Sequence, residues 1–339
     1  MGCACAFLAT ACSGASGVLA GAGSEDCDAA CDATARTPGS RGRFQVPGPA
    51  PTGSVTSAGG RVSRLVFAVV GDTRPATEDD TSGYPSQVIA PIYGAIEALR
   101  PRPQFVVATG DYVFASGRGG QALPQLALYR AARSRFSGPV FPALGNHECT
   151  GATASNCGSG APDGVTANYS AFLDTMLAPL GQALPYYAIR VDDIDGRWTA
   201  KLVFVAANAW SAEQEAWLDA ALAVPTTYTF VVRHEPASAT VAPGVVPSER
   251  IMAQHPYTLA LVGHTHTYRH GPDAPREVLV GNGGAPLTAK SYGFAVMALT
   301  QDASVAVDMI DWQTGATDAA FHFTVQPDGS PGGVTAPGN

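Results

Sequence analysis

Five short polar blocks in this 339-residue chain carry side chains able to do hydrolytic chemistry. They are Gly71-Asp72-Thr73-Arg74, Gly110-Asp111-Tyr112, Gly145-Asn146-His147-Glu148, Arg233-His234-Glu235 and Gly263-His264-Thr265-His266. Each follows an apolar run and offers oxygen or imidazole nitrogen donors. Such donors at the ends of buried strands are what a two-metal hydrolytic site requires. A lone Gly-Asp after a strand is ordinarily a turn. Two imidazoles at i and i+2, as in His264 and His266, share one face of an extended segment. The repetition of the pattern, more than any one block, points to a metal centre.

The elements that must position these blocks follow from periodicity. Predominantly apolar runs predict strands over 65–70, 105–108, 140–144, 186–191, 201–206, 228–232, 259–262, 277–280, 294–299 and 305–310. Helices are expected over 86–100, 121–136 and 168–180. In the first of these, Ile89, Ile92, Tyr93, Ile96 and Leu99 fall on one face. Ser211-Ala212-Glu213-Gln214 reads as a capping box, with Gln214 reaching back to the cap and Trp217 and Leu218 turned inward. Helix-separated strands early and consecutive strands late indicate a mixed α/β fold. Periodicity does not say how the sheets stack.

Three segments are expected: 1–60 as an export-signal remnant and Gly/Ala/Ser/Pro-rich tether, 61–325 as the catalytic domain, and 326–339 as a disordered tail. A net charge of -8 argues against nucleic acid or an anionic membrane as the main partner. Residues 3–12 form a short apolar run like the late part of a signal peptide, although the basic n-region is missing, the first basic residue being Arg36. Export is therefore expected, with Cys12 as the alternative point of lipid anchoring. In an oxidising compartment Cys27 with Cys31, and Cys149 with Cys157, could close local disulfides. Cys149 and Cys157 bracket a Gly/Ser/Asn-rich loop that would gain from a staple.

With these blocks in this order, the sequence resembles the calcineurin-like metallophosphoesterase superfamily, and its purple-acid-phosphatase-like branch in particular. Gln214 to Leu218 matches a Gln-x-x-Trp-Leu helix, and Tyr268 follows Gly-His-Thr-His at the expected spacing. The resemblance implies two mixed β-sheets packed face to face and flanked by helices. It implies two divalent or mixed-valence ions (manganese, iron or zinc) bridged by Asp111. Asp72 and His266 would hold the first, and Asn146, His234 and His264 the second. The ions would clamp a small phosphorylated substrate and activate water for in-line attack on phosphorus. His147 would then donate a proton to the leaving oxygen or hydrogen-bond the phosphate.

The chain departs from that pattern twice. Arg74 stands where the family commonly has a histidine, and a guanidinium cannot ligate a metal. Phe114 stands where purple acid phosphatases have a tyrosine, so an iron-tyrosinate colour is not expected. Water or Glu78, Asp79 or Asp80 could complete the first site. Alternatively the first metal binds weakly. The favoured expectation combines a water-completed first metal with Arg74 contacting substrate phosphate; the alternative for Arg74 is a pairing with that acidic loop. Tyr268 and His270 are further expected substrate contacts, and Arg269, Asn208 and the 281–284 turn are candidates. Glu148 and Glu235 are expected to orient histidines. The rival to a phosphoesterase is a non-catalytic metal- or phosphate-binding module on the same fold. A serine hydrolase is disfavoured because no Gly-x-Ser-x-Gly elbow is present.

Overall fold

Most of the strands are apolar on both faces because both faces are covered. In the computed structural model, which describes residues 52–117, 120–150, 155–288 and 291–332, two mixed sheets share one core. The first sheet runs β14 (Phe323–Val325), β13 (Val305–Asp311), β12 (Gly293–Leu299), β3 (Val66–Val70), β4 (Phe105–Ala108) and β5 (Val140–Pro142). Its β3, β4 and β5 are parallel, whereas β12 meets β3 antiparallel. The second runs β1 (Gly53–Thr56), β2 (Gly59–Val62), β6 (Tyr187–Asp193), β7 (Thr199–Val205), β8 (Tyr228–Arg233), β9 (Leu259–Val262), β11 (Ala274–Val280) and β10 (Tyr268–Gly271). Strands β7, β8, β9 and β11 are parallel.

Alternation along the strands builds the layers. Phe67 of β3 meets Phe230 of β8 edge-on at 5.1 Å, and Phe141 of β5 lies 6.4 Å from Phe204 of β7, so these rings fill the space between the sheets. Val203, Val205, Val231 and Ala260 form a separate cluster with helices α4 (Ala212–Ala223) and α5 (Val245–Met252). Helices α1 (Ser86–Ala98) and α2 (Ala122–Arg133) join the first sheet's core, where Tyr93 and Tyr129 share a hydrogen bond of 2.7 Å.

Several sequence expectations are corrected. Residues 53–60, assigned to the tether, belong to a hairpin whose β2 pairs with β6. Residues 326–332, assigned to the tail, form a turn in which Gln326 donates to the Ser330 carbonyl at 2.8 Å. The segment 168–180 divides into helix α3 (Ala167–Phe172), a π-turn and a 3-10 turn. Leu99 lies just past the end of α1. Ser211 does cap the Gln214 amide, but the Gln214 side chain does not return to the cap. It accepts from the Ala206 amide and donates to the carbonyls of Ala206 and Ala209, fastening α4 to the end of β7. Leu218 is fully buried, while Trp217 is half-buried against Tyr186. The short strand β10 and helix α5, which buries Val245, Ser248, Ile251 and Met252, are not among the elements expected from the apolar runs.

The expectations for Cys12, Cys27 and Cys31 lie outside the described residues. No helix among the described residues is long and apolar enough to cross a membrane.

Candidate metal centre

Parallel strands from both sheets deliver the polar blocks to one place. Asp72 follows β3, Asp111 follows β4, and Asn146 and His147 follow β5. His234 follows β8, and His264 and His266 follow β9. Backbone hydrogen bonds lace these ends together. The Thr73 amide donates to the Asp111 carbonyl at 2.9 Å, Gly263 to His234 at 2.8 Å, and Ala285 to Asp72 at 2.7 Å. The crowding has a conformational cost. Asp72, Asp111, His264 and His266 all have left-handed backbone, with φ of 55°, 59°, 77° and 47°. Non-glycine residues adopt it sparingly, and such strain gathers at functional sites.

Glycine makes room for the buried acids. A Cβ at Gly263 would stand 2.4 Å from Asp72 Oδ2, and one at Gly145 would stand 2.4 Å from Asp111 Oδ1. Gly110, with φ of 110°, likewise leaves space for the His234 ring.

The side chains converge with their lone pairs inward. His234 Nδ1 is 2.8 Å from the Thr109 carbonyl, which can only accept, so Nδ1 carries the proton. Nε2 is then the nitrogen turned inward, facing Asp111 Oδ1 at 3.2 Å and Asn146 Oδ1 at 3.1 Å, where it offers a lone pair when the ring is neutral. His266 repeats the device: Nδ1 donates to the Pro286 carbonyl at 2.9 Å, leaving Nε2 3.6 Å from Asp72 Oδ1. His264 Nδ1 lies 3.0 Å from Asn146 Oδ1 and 3.3 Å from His234 Nε2. Acceptors opposed at such distances repel unless a proton or metal cation sits among them. Ligand atoms of Asp72, Asp111 and His234 all fall within 4.8 Å of one another, and all three residues are buried. The donor set thus fits a cation, and oxygen with imidazole suits manganese, iron or zinc.

Electrostatics tell the same story. Burial, reinforced by the Asp111 charge, pushes the Asp72 carboxyl well above its usual range. Burial opposes ionisation of Asp111 as well, but the neighbouring His234 and His147 hold it well below. His234 is raised in turn: burial works against its charge and Asp111 outweighs it. One carboxylate pushed up and its neighbour down is the signature of like charges sharing a site.

Arg74 does not pair with the acidic loop. Asp79 is taken by Ser116, whose amide and hydroxyl it accepts at 2.9 and 2.6 Å, and Asp80 accepts from Ser82 and Gly83. The Arg74 guanidinium instead lies 4.8 Å above the Phe114 ring, with Nε 3.6 Å from Asp111 Oδ2. Phe114 is also edge-on to His147 at 4.7 Å. The two positions that depart from the family pattern are in contact. His147 Nε2 is 3.8 Å from Asp111 Oδ2, its Nδ1 is buried without a hydrogen bond, and burial pulls its pKa down to about 4.

Neither glutamate hydrogen-bonds a histidine. Glu148 accepts from the amides of Asp111, Tyr112, Val113 and Gly145 at 2.7–3.1 Å, and so holds the Asp111 turn. Glu235 accepts from Asn208. The histidines are oriented by the carbonyls of Thr109 and Pro286, which no sequence signal marks. Tyr268 donates to Asp318 at 2.8 Å and packs edge-on to Phe321, and His270 stacks on Phe323 at 3.7 Å. Both belong to an aromatic group with residues of the 321–323 segment. Cys149 and Cys157 are joined in a disulfide, and their sulfurs lie against the Asn208 carbonyl.

A sequence profile described as calcineurin-like phosphoesterase matches residues 65–268, which contain all five polar blocks. No curated protein matches the chain significantly. Among solved structures, the chain resembles the purple acid phosphatase PPD1 of yellow lupin (Lupinus luteus) seeds, with 14% identity and a TM-score of 0.55. That match covers 81% of this chain and 57% of the plant protein. It also resembles GAP50, the anchor in the inner membrane complex of Plasmodium, with 15% identity and a TM-score of 0.51. There 79% of this chain and 90% of the other are covered. At such identities the likeness establishes the fold.

Proposed function

The chain belongs to the calcineurin-like phosphoesterase family, and on that premise we propose that it is a metal-dependent hydrolase of phosphomonoesters or phosphodiesters. The observation that carries the reading is the inward convergence of donor atoms from Asp72, Asp111, Asn146, His234 and His264. Asp111, Asn146, His234 and His264 would hold one cation. For the second ion implied by the sequence resemblance, Asp72, Asp111 and His266 remain. Bound metal would polarise the phosphate and lower the pKa of water at the site.

The chain's own residues would do the rest. His147, kept neutral by burial, offers an N–H to a phosphate or leaving oxygen beside Asp111. Glu148 keeps the Asp111 turn from relaxing, and the carbonyls of Thr109 and Pro286 keep the imidazole nitrogens aimed inward. A small phosphorylated substrate agrees with the acidic net charge, since the metal would supply the local positive field.

The test is hydrolysis of p-nitrophenyl phosphate and bis(p-nitrophenyl) phosphate by protein loaded in turn with manganese, zinc and iron. Turnover that Asp111→Asn abolishes together with metal binding supports the reading. Retained metal in that variant would remove Asp111 from the centre. The Arg74 contact with Asp111 favours a second reading, a binding module without turnover. Metal bound with no hydrolysis of either ester would select it.

A further inference from the structure

The two oxygens of Asp111 face different surroundings. Around Oδ1 are His234 Nε2 at 3.2 Å and, beyond it, Asn146 Oδ1 and His264 Nδ1. None of these groups carries a fixed charge. On that side the chain supplies no permanent positive charge. Around Oδ2 the chain supplies one. Arg74 Nε lies at 3.6 Å, next to His147 Nε2 at 3.8 Å. A guanidinium stays charged at any pH the fold survives.

That guanidinium is held in place. Its face rests on the Phe114 ring, a contact favoured by the ring's negative face. Nη1 donates to the Pro75 carbonyl at 3.0 Å, and the side chain is 14% exposed. The ring beneath is itself positioned from α2. Gln125, fully buried, accepts from the Phe114 amide at 2.7 Å and donates to the Phe114 carbonyl at 3.0 Å. A chain of contacts therefore runs from Gln125 through Phe114 to Arg74 and Asp111. Of the loop acids, Asp79 and Asp80 are engaged with Ser116, Ser82 and Gly83. The carboxylate against which Arg74 rests is Asp111.

We propose that this centre binds one metal ion per chain, among the donors around Asp111 Oδ1, and that Arg74 supplies the second positive charge at Oδ2. The proposal rests on the metal-dependent reading above and goes beyond it in the number of ions and the part of Arg74. A divalent ion taken up at Oδ2 would meet a fixed like charge. It would also find few partners there: beyond Asp111 itself the remaining donors are Asp72, whose two oxygens share the His264 amide at 3.0 and 2.8 Å, and His266, with Arg74 standing where a further ligand would be. In this arrangement Arg74 also faces any phosphate drawn to the ion, and its planar fork suits two phosphate oxygens.

The experiment counts ions. Metal-free protein is titrated with zinc and, separately, manganese, and the bound metal is measured by elemental analysis and by native mass spectrometry. The wild-type protein is expected to take up one ion per chain. Arg74→His, which removes the charge and adds a donor, is expected to take up two. Arg74→Lys should stay at one, and circular dichroism establishes that each variant is folded. Two ions in the wild-type protein would overturn the proposal, as would a folded Arg74→His that stays at one. Should Arg74→His fail to fold, the wild-type count decides. Two ions with ester hydrolysis would sink the single-ion proposal and leave the phosphoesterase reading standing. No bound metal and no hydrolysis would sink both.

Discussion

At the residue scale, the centre is a problem of acceptors packed too closely for their own charge. His234 and His266 each have the Nδ1 proton drawn outward by a backbone carbonyl, so both rings turn Nε2 toward carboxylates. His147 is different. It touches Asp111 only through its amide, at 3.2 Å, and at longer range through Nε2, and its Nδ1 has no hydrogen bond. His147→Ala is expected to lower kcat by about 10²- to 10⁴-fold, the usual worth of a positioned proton donor, with metal content unchanged. Steady-state kinetics beside elemental analysis checks it; metal lost in proportion to activity would instead make His147 part of the metal-binding set. Glu148 supports a second expectation. Burial pushes its carboxyl up to about 7, yet four amide protons point at it. Glu148→Gln replaces one acceptor with an NH₂ facing amide donors. It should destabilise the fold by about 1–3 kcal/mol, the cost of leaving a buried donor unpaired. Urea unfolding of the variant measures this, and an unchanged midpoint would remove Glu148 from the support of the Asp111 turn.

At the element scale, the strand-to-loop junctions carry the strain. Four site residues hold left-handed backbone, and Gly110, Gly145 and Gly263 clear the volume for site side chains arriving from other strand ends. Gly263→Ala puts a methyl 2.4 Å from Asp72 Oδ2 and 2.8 Å from Thr109 Oγ1. Overpacking of this kind costs about 1–3 kcal/mol. Because the displaced group is a proposed ligand, metal affinity should fall along with stability. Calorimetric metal titration of the variant would show it, and a wild-type affinity would mean that the junction yields elsewhere. The same scale explains Gln214. Its amide closes the join between β7 and α4, a tertiary role that a capping-box pattern does not foretell.

At the scale of the whole molecule, two sheets bring five strand ends from distant parts of the chain to one point. Asp72 and His264 are 192 residues apart and joined through the His264 amide. A cation among ligands from both sheets should therefore stabilise the whole fold by mass action. At a hundredfold excess over Kd it contributes about 2.7 kcal/mol. Removing it with a chelator should lower Tm by about 5–10 °C for a domain of this size, and restoring zinc or manganese should reverse the shift. Thermal scans with and without the chelator test it; equal Tm values would mean that the site is preformed and weakly occupied. Periodicity and donor chemistry were enough to read the mixed α/β class, most of the strands and the order of the polar blocks, because burial on both faces leaves unbroken apolar runs. The hairpin at 53–62 escaped, since its glycines and short polar strands resemble a tether until β6 offers an edge. The contact of Arg74 with Phe114, the clamp from Gln125, the four amides on Glu148 and the carbonyls that aim His234 and His266 were invisible in the chain. Side-chain type shows which atoms can bind, but backbone groups carry no mark in the sequence, and which of them reach a given ring depends on how two sheets meet.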